Sequence, residues 1–335
     1  MTKRIILFLT VCTLFTFPLC SQQSMTVLFY NTENLFDPDD DPLKDDDAYT
    51  PDGDYHWTRS RYRDKLDALS KVIVAADEDQ SPALVGLAEV ENDVVLRDLT
   101  THSALRAADY RFVMTDSPDR RGIDVALLYR RSFFRLISSQ SLRVEPGTYG
   151  GATRDVLHVI GLLENFDTID IYVCHWPSRY NGTEQTQSLR MSAARTVRES
   201  VDSIFNVRRK PYVIIMGDLN DGPDANSVRI GLKAHAYSER VRLNDKELVS
   251  VMDPMDDGSY KYQGTWDKYD QFILSASLLN GLGCTQMLDA HIMNNSFLLD
   301  DDDNYGGVKP LRTYNGRRYQ GGYSDHLPIK LRIGF

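Results

Sequence analysis

The chain has 335 residues, with 38 Lys+Arg against 48 Asp+Glu and a formal charge of −10. That balance excludes a basic scaffold that coats nucleic acid by charge alone, although a local groove carrying a metal can hold phosphate beneath a negative surface. Hydrophobic residues make up 42% and aromatic residues 10%, enough apolar material for a full core, which excludes the disordered and fibrous classes.

At the start, Lys3 and Arg4 precede an uncharged apolar run from Ile5 to Leu19. This is the layout of a secretory signal, and it is short for a membrane span. Residues 1–21 are therefore expected to direct export, with the mature protein periplasmic or extracellular. Lipid anchoring at Cys20 is the alternative, opposed by Pro18 and Leu19, which are not the small residues expected before such a cysteine. The rest, 22–335, holds no further membrane span, no Pro/Ser-rich linker and no internal repeat, so one domain is expected, with no obligate protein partner evident. Only Cys174 and Cys284 would then remain. Cys174 sits in an apolar run beside His175, and a buried free thiol is expected there.

Along the mature chain, strands are expected at Met25–Tyr30, Ala83–Ala88, Ile123–Tyr129, Val156–Leu163, Ile169–Cys174, Tyr212–Met216, Tyr269–Leu274 and Leu327–Ile333. Tyr62, Leu66, Leu69, Ile73 and Ala76 recur at helical spacing, with Thr58 placed as a cap. Leu189, Ala193, Val197, Val201 and Ile204 mark a second helix. Asp37 to Asp47 carries seven aspartates and Asp300 to Asp303 a run of four. Both are expected to be solvated loops. Calcium is the alternative for either, but neither has the spaced ligands and turn glycine of an EF-hand.

Polar residues that terminate apolar strands carry the chemistry, because a rigid strand handing over to a loop is where reactive side chains are held in place. FYNTENLFD ends its strand in Asn31, with Glu33 and Asn34 after it. LVGLAEVEN closes on Glu89 and Glu91. IYVCHWPSR gives His175, a general acid or base near neutral pH, followed by Trp176 and by Arg179, which can grip a phosphate. VIIMGDLND delivers Asp218, Asn220 and Asp221 after a glycine that leaves room for a ligand. Asp218 and Asn220 share a face if the strand continues, so one can take a proton while the other orients an oxygen. GYSDHLPI places Asp325 beside His326.

Each piece alone is ordinary, but their order resembles the endonuclease/exonuclease/phosphatase superfamily, from Met25 to the C-terminus. The resemblance rests on Asn31, Glu89, the histidine motif at His175, Gly217 to Asn220, the aspartate in YDQFILS and the terminal SDHLP. FYNTENLFD and CHWPSR look most like secreted bacterial members. It implies an α+β fold, a four-layer α/β/β/α sandwich of two packed mixed β-sheets with helices on the outer faces. It also implies a metal site of Glu89, Asn31 and Asp325, suited to Mg²⁺, with Mn²⁺ as an alternative. Asp218 would activate the attacking water and Asn220 would hold a phosphate oxygen, with Asn31, Trp176 and Arg179 towards the substrate. His175 and His326 would flank the phosphate, and Asp270 would pair with His326 and raise its pKa. At one position the chain departs from parts of the family, reading RRGIDVALLYR. Asp124 is there the residue best able to orient His175, with a salt bridge to Arg121 or Arg154 as its alternative.

The expected reaction is metal-dependent hydrolysis of a phosphate ester by in-line attack of water, with no serine or cysteine nucleophile. A secreted nuclease or phosphodiesterase acting on DNA or RNA is expected, with Trp176, Arg179, Tyr180, Arg190, Arg317 and Arg318 as a track for the strand. The alternatives are an inositol-phosphate phosphatase, a sphingomyelinase-like phosphodiesterase with apolar loops at FLLDDDD and LLNGLG, or an inactive binding module. The last is opposed by the presence of every expected site residue.

Overall fold

The computed structural model describes residues 23–335 apart from 78, 146–150, 181, 253–256 and 281–284. The expected signal segment, with Cys20, and Cys284 lie outside the described residues. The strands in chain order are β1 (Ser24–Leu35), β2 (Leu84–Val90), β3 (Tyr110–Met114), β4 (Asp124–Arg130), β5 (Phe134–Leu142), β6 (Val156–Leu163), β7 (Thr168–His175), β8 (Tyr212–Asp218), β9 (Ala234–His235), β10 (Leu248–Ser250), β11 (Tyr260–Tyr262), β12 (Thr265–Asp267), β13 (Asp270–Ser275), β14 (Gln286–Ile292), β15 (Leu299–Asp301), β16 (Val308–Pro310), β17 (Tyr314–Asn315), β18 (Arg318–Tyr319) and β19 (Ile329–Gly334). The α-helices are α1 (Arg59–Ala75), α2 (Asp93–Thr101) and α3 (Thr183–Val207).

Two mixed sheets form the centre, one ordered β14-β19-β1-β2-β4-β3 and the other β5-β6-β7-β8-β13-β10-β9. Their central strands read as near-continuous apolar runs because both faces are covered. In β1, Val27 and Phe29 face a core shared with Ile171, Ile214, Met216 and Phe272 of the other sheet. The alternate residues, Leu28 and Tyr30, pack beneath α1 on Leu66, Leu69 and Ile73. On the opposite outer face, Tyr172, Val213 and Ile215 pack under Ala193, Val197 and Val201 of α3. Each fully buried aliphatic contributes about 1.5–3 kcal/mol, so the two sheets and their helices form the expected four-layer sandwich. Thr58 caps α1 as expected, accepting from the Arg61 N–H at 3.4 Å.

Strand register brings the site together. Parallel pairing of β7 with β8 sets His175 level with Asp218, and antiparallel pairing of β8 with β13 sets Asp218 opposite Asp270. Parallel pairing of β1 with β2 sets Asn31 opposite Ala88, so Glu89 comes next at the same rim. Gly217 serves this register: a Cβ there would lie 2.3 Å from the Cys174 carbonyl oxygen. The glycine thus makes room for the neighbouring strand rather than for a ligand. Among the described residues, no helix is long and apolar enough to cross a membrane.

Candidate active site

At the rim where the two sheets meet, the backbone is bent in ways ordinary residues avoid. Glu33, Asn34, Glu89 and Asn220 have φ of 52°, 58°, 62° and 49°. Left-handed backbone at non-glycine residues persists only when surrounding bonds over-determine it, and those bonds are present. The Asn34 N–H donates to Glu89 Oε2 at 2.9 Å, and the Thr32 hydroxyl reaches the carbonyls of Ala88 and Glu89 at 2.8 and 3.0 Å. The Asn220 N–H donates to Asp218 Oδ1 at 2.9 Å, and its side-chain Nδ2 donates to the Trp176 carbonyl at 3.0 Å. The ladders slip at the same places, between Asn31 and Leu35 and between Ala88 and Val90. These bulges turn Glu89 out of the strand alternation and towards the cleft.

The reactive groups then converge. Asn31 Nδ2 donates to Asp218 Oδ2 at 3.1 Å. His175 Nε2 lies 3.7 Å from both Glu89 Oε1 and Asp218 Oδ2, and His326 Nε2 lies 3.7 Å from Asp218 Oδ2. His326 Nδ1 is 2.7 Å from Asp270 Oδ2, which also accepts from the Ser259 hydroxyl. Glu89, His175, Asp218, Asn220, Asp325 and His326 open onto one cleft of ≈ 650 Å³, whose other wall carries Arg121, Arg179 and several tyrosines.

Charge is divided unequally between the two histidines. Burial disfavours the His326 imidazolium, but Asp270 and Asp218 overcome it and hold its pKa well above the usual histidine range. Burial, with Arg154 and Arg121 nearby, pushes His175 well below that range, so it is neutral at pH 7. Burial raises the Asp218 carboxyl; His326 opposes the rise and Asp270 adds to it. The site therefore pairs one cationic donor with one carboxylate poised above its ordinary range, the separation that acid–base chemistry needs.

For a metal, Glu89 and Asp325 offer carboxylates at the cleft, 14% and 21% exposed, and the buried Asn31 an amide oxygen that also accepts from the Glu33 N–H at 3.0 Å. These are hard oxygen donors of the kind magnesium takes, and they fit the ion that the family resemblance implies. Asp218, Asp270 and His326 also place one donor atom each within 4.8 Å of one another. There, however, one Asp270 oxygen is taken by His326 and Ser259, and a protonated imidazole has no lone pair to give. That trio is hydrogen-bonding machinery rather than a ligand set.

Three expectations need correction. Trp176, placed towards the substrate, is 1% exposed and packs with Val197 and Val213 beneath α3. Asp124, placed as the partner of His175, instead accepts from the Thr115 hydroxyl at 2.5 Å and the Ser117 N–H at 3.1 Å. His175 Nδ1 has no hydrogen-bond partner among the described residues, and Arg154 and Arg121 pair with Asp119 rather than Asp124. Of the expected strand track, Arg190 is fully buried against Asp221, while Arg317 and Arg318 are exposed but do not line the cleft. Arg179 and Tyr180 do line the cleft. Arg179 is held by the Asn220 carbonyl at 2.8 Å and Asp221 Oδ1 at 2.6 Å. Cys174 is buried and free, its thiol pushed by burial to about 12. Leu298 of FLLDDDD is buried rather than presented at a lipid surface. Sequence reasoning missed Tyr260 and Tyr269, stacked with centroids 5.5 Å apart beside His326, and also Arg312 and the buried Lys65. The tyrosine preceding the aspartate of YDQFILS was the one local signal, and it marks Tyr269 alone.

No curated protein matches the sequence. Solved structures share the fold at low identity. An endonuclease/exonuclease/phosphatase family protein from Bacteroides thetaiotaomicron superposes with a TM-score of 0.60 at 15% identity, covering 94% of this chain and 98% of that one. A mannosyl-6-phosphatase from Bacteroides thetaiotaomicron VPI-5482 gives 0.59 at 14%, covering 93% and 100%. D. rerio TDP2, solved with a single-strand DNA product, gives 0.57 at 14%, covering 92% and 98%. The profile of the Endonuclease/Exonuclease/phosphatase family matches residues 26–334, nearly everything after the apolar leader, and the chain belongs to that family of phosphate-ester hydrolases.

Proposed function

We propose that the chain is a metal-dependent hydrolase of phosphate esters that acts by in-line attack of water, with a nucleic acid or another phosphodiester as its substrate. The observation that carries this is the meeting of Asp218, His175 and the Asp270-backed His326 within 3.7 Å contacts at one cleft. Asp218 takes a proton from the attacking water as its oxygen bonds to phosphorus and the opposite bond, from phosphorus to the leaving ester oxygen, breaks. His326 Nε2 donates to the oxygen on which charge develops, and Asp270 keeps that histidine charged until it does so. His175, neutral and held at the end of β7, donates or accepts at a phosphoryl oxygen according to its tautomer. Arg179 fixes the Asn220 carbonyl, and the Trp176 carbonyl holds the Asn220 side-chain nitrogen, whose second N–H is left to donate to a phosphate oxygen. Magnesium held by Glu89, Asn31 and Asp325 would neutralise charge on the phosphoryl or leaving oxygen. The exposed rims of Tyr180 and Tyr262, 94% and 59% accessible, give a planar group somewhere to stack. Export by way of residues 1–21 completes the reading.

A second reading, hydrolysis of a small phosphorylated molecule such as an inositol phosphate, is favoured by one observation. With Trp176 and Arg190 buried, two members of the expected track do not reach the surface of the cleft. The test uses purified protein beginning at residue 22, with magnesium, manganese or chelator, against plasmid DNA, RNA, a generic phosphodiester and a generic phosphomonoester. Metal-dependent cleavage of nucleic acid that is lost in a folded His326→Ala variant supports the first reading. Turnover of the monoester with intact DNA supports the second. Undiminished turnover in His326→Ala removes the mechanism altogether.

A further inference from the structure

Arg312 forks between two carboxylates that come from opposite ends of the chain. Its Nε lies 3.2 Å from Glu33 Oε1 and its terminal nitrogen 2.9 Å from Asp325 Oδ2. Glu33 follows Asn31 by two residues and is 7% exposed. Its second oxygen accepts from the Thr313 N–H at 2.6 Å, and its own N–H donates to Asn31 Oδ1 at 3.0 Å. Asp325 is one of the oxygen donors at the cleft. Asp325 thus stands between two parts of the acidic rim: Glu89 with Asn31, facing the two histidines, and Glu33, which a guanidinium bridges to Asp325 Oδ2.

We propose that Arg312 is a resident cation that stands where a second divalent ion would otherwise bind, and so limits the centre to one metal. The inference rests on the metal reading above. A guanidinium is always charged and carries its donors in a rigid plane. It therefore holds a permanent positive charge against Glu33 and Asp325, to which the buried Lys65 ammonium adds, whereas an ion would come and go with its concentration. Its place is fixed by the backbone around it. The Lys65 ammonium donates to the Thr313 hydroxyl and the Tyr323 carbonyl, both at 2.6 Å. The Tyr323 N–H donates to the Leu311 carbonyl at 2.7 Å, and the Ser324 hydroxyl to the Asn31 carbonyl at 2.7 Å. The strip bearing Arg312 is thereby stapled to both the Asn31 turn and the Asp325 loop, and the 40% exposed guanidinium is held between its two carboxylates by its own ion pairs. An ordinary structural salt bridge would have a different consequence, since its removal would weaken the fold without creating a site for metal.

The test counts manganese ions by calorimetry and by electron paramagnetic resonance, with circular dichroism to confirm folding. Wild type is expected to bind one ion, and Glu89→Gln to weaken it by about tenfold or more. Arg312→Ala is expected to bind two ions, the added one disappearing in the Glu33→Gln/Arg312→Ala double variant. Arg312→Gln, which keeps hydrogen-bond donors without the charge, should also bind two and guards against a misfolded alanine variant. A wild type that already holds a second ion removable by Glu33→Gln overturns the proposal without using any Arg312 variant. Folded Arg312→Ala and Arg312→Gln that each keep a single ion overturn it as well. A wild-type ion that is absent, or indifferent to Glu89→Gln, overturns the metal reading and this inference with it, whereas the other failures leave the metal reading standing.

Discussion

His326 is useful as a donor only while Asp270 holds it charged. Its pKa lies well above the usual range despite burial, because Asp270 and Asp218 favour the imidazolium. A group raised in the folded state contributes stability that is complete below its unfolded pKa, about 6.5, and is lost as pH rises through the folded value. Asp270→Asn should therefore lower the melting temperature near pH 6 more than at strongly alkaline pH. It should also reduce kcat by about 10²-fold or more and move the alkaline limb of the pH–rate profile to lower pH. An unchanged alkaline limb, measured on a generic phosphodiester with magnesium, would separate His326 from that limb. Trp176 and Tyr180 give an opposed pair. Trp176→Ala should cost about 3–5 kcal/mol of stability, whereas Tyr180→Ala should leave the denaturation midpoint in place and raise KM. Most of the site was legible in sequence because strand-terminal polar residues stand out against apolar runs. Trp176 misled because adjacency to His175 resembles membership of the site, while a strand that ends there sends the next side chain under α3. Arg312 was illegible for a different reason: its partner Glu33 is 279 positions away, and nothing local in KPLRTYNG marks it.

Among elements, the longer strands buried on both faces were legible, whereas the half-exposed ones and the three-residue buried β10 were not. Val156–Leu163 was placed to the residue, while β5, whose FRLISSQSL is largely solvent-facing, and the short α2 went unseen. An edge strand buries too little to need an apolar run, so its sequence carries little period. The first turn of α3 lies before the apolar stripe that marks the helix, because it is held by Arg190 rather than by apolar residues. That side chain is fully buried, its Nε 2.8 Å from Asp221 Oδ2 and its terminal nitrogens donating to Thr186 Oγ1 at 2.7 Å and the Thr183 carbonyl at 3.0 Å. Asp221 in turn holds Arg179 and the Ser227 hydroxyl. One ion pair thus joins the start of α3 to the loop after β8 that presents Asn220. Removing one partner of a buried pair strands the other charge. Arg190→Met should cost about 3 kcal/mol in urea unfolding and lower kcat by misplacing Asn220; a midpoint within error of wild type would contradict this role.

For the molecule as a whole, the site is a seam. Asn31 and Glu89 come from the six-stranded sheet, with Asp325 just before its strand β19, and His175, Asp218 and Asp270 come from the seven-stranded one. The apolar faces of the two sheets hold them together through residues such as Phe29, Met216 and Phe272, yet at the rim they bring carboxylates towards one another in a protein already carrying −10. Like charges gathered at a partly buried rim oppose the docking of the layers, and a divalent ion bound there relieves that opposition in the folded state only. Binding confined to the folded state adds about 2.7 kcal/mol when the ion is at 100 times its dissociation constant. In a chain of this size that corresponds to a rise of roughly 4 °C in melting temperature. Magnesium should therefore raise the melting temperature of the wild type, chelator should reverse the rise, and sodium chloride at matched ionic strength should not reproduce it, since general screening acts on the whole acidic surface. Glu89→Gln should abolish the magnesium-specific part while leaving the response to sodium chloride intact. Equal magnesium shifts in wild type and Glu89→Gln would place the stabilising ion elsewhere on the acidic surface, for which the aspartates between Asp37 and Asp47 would be the next to replace.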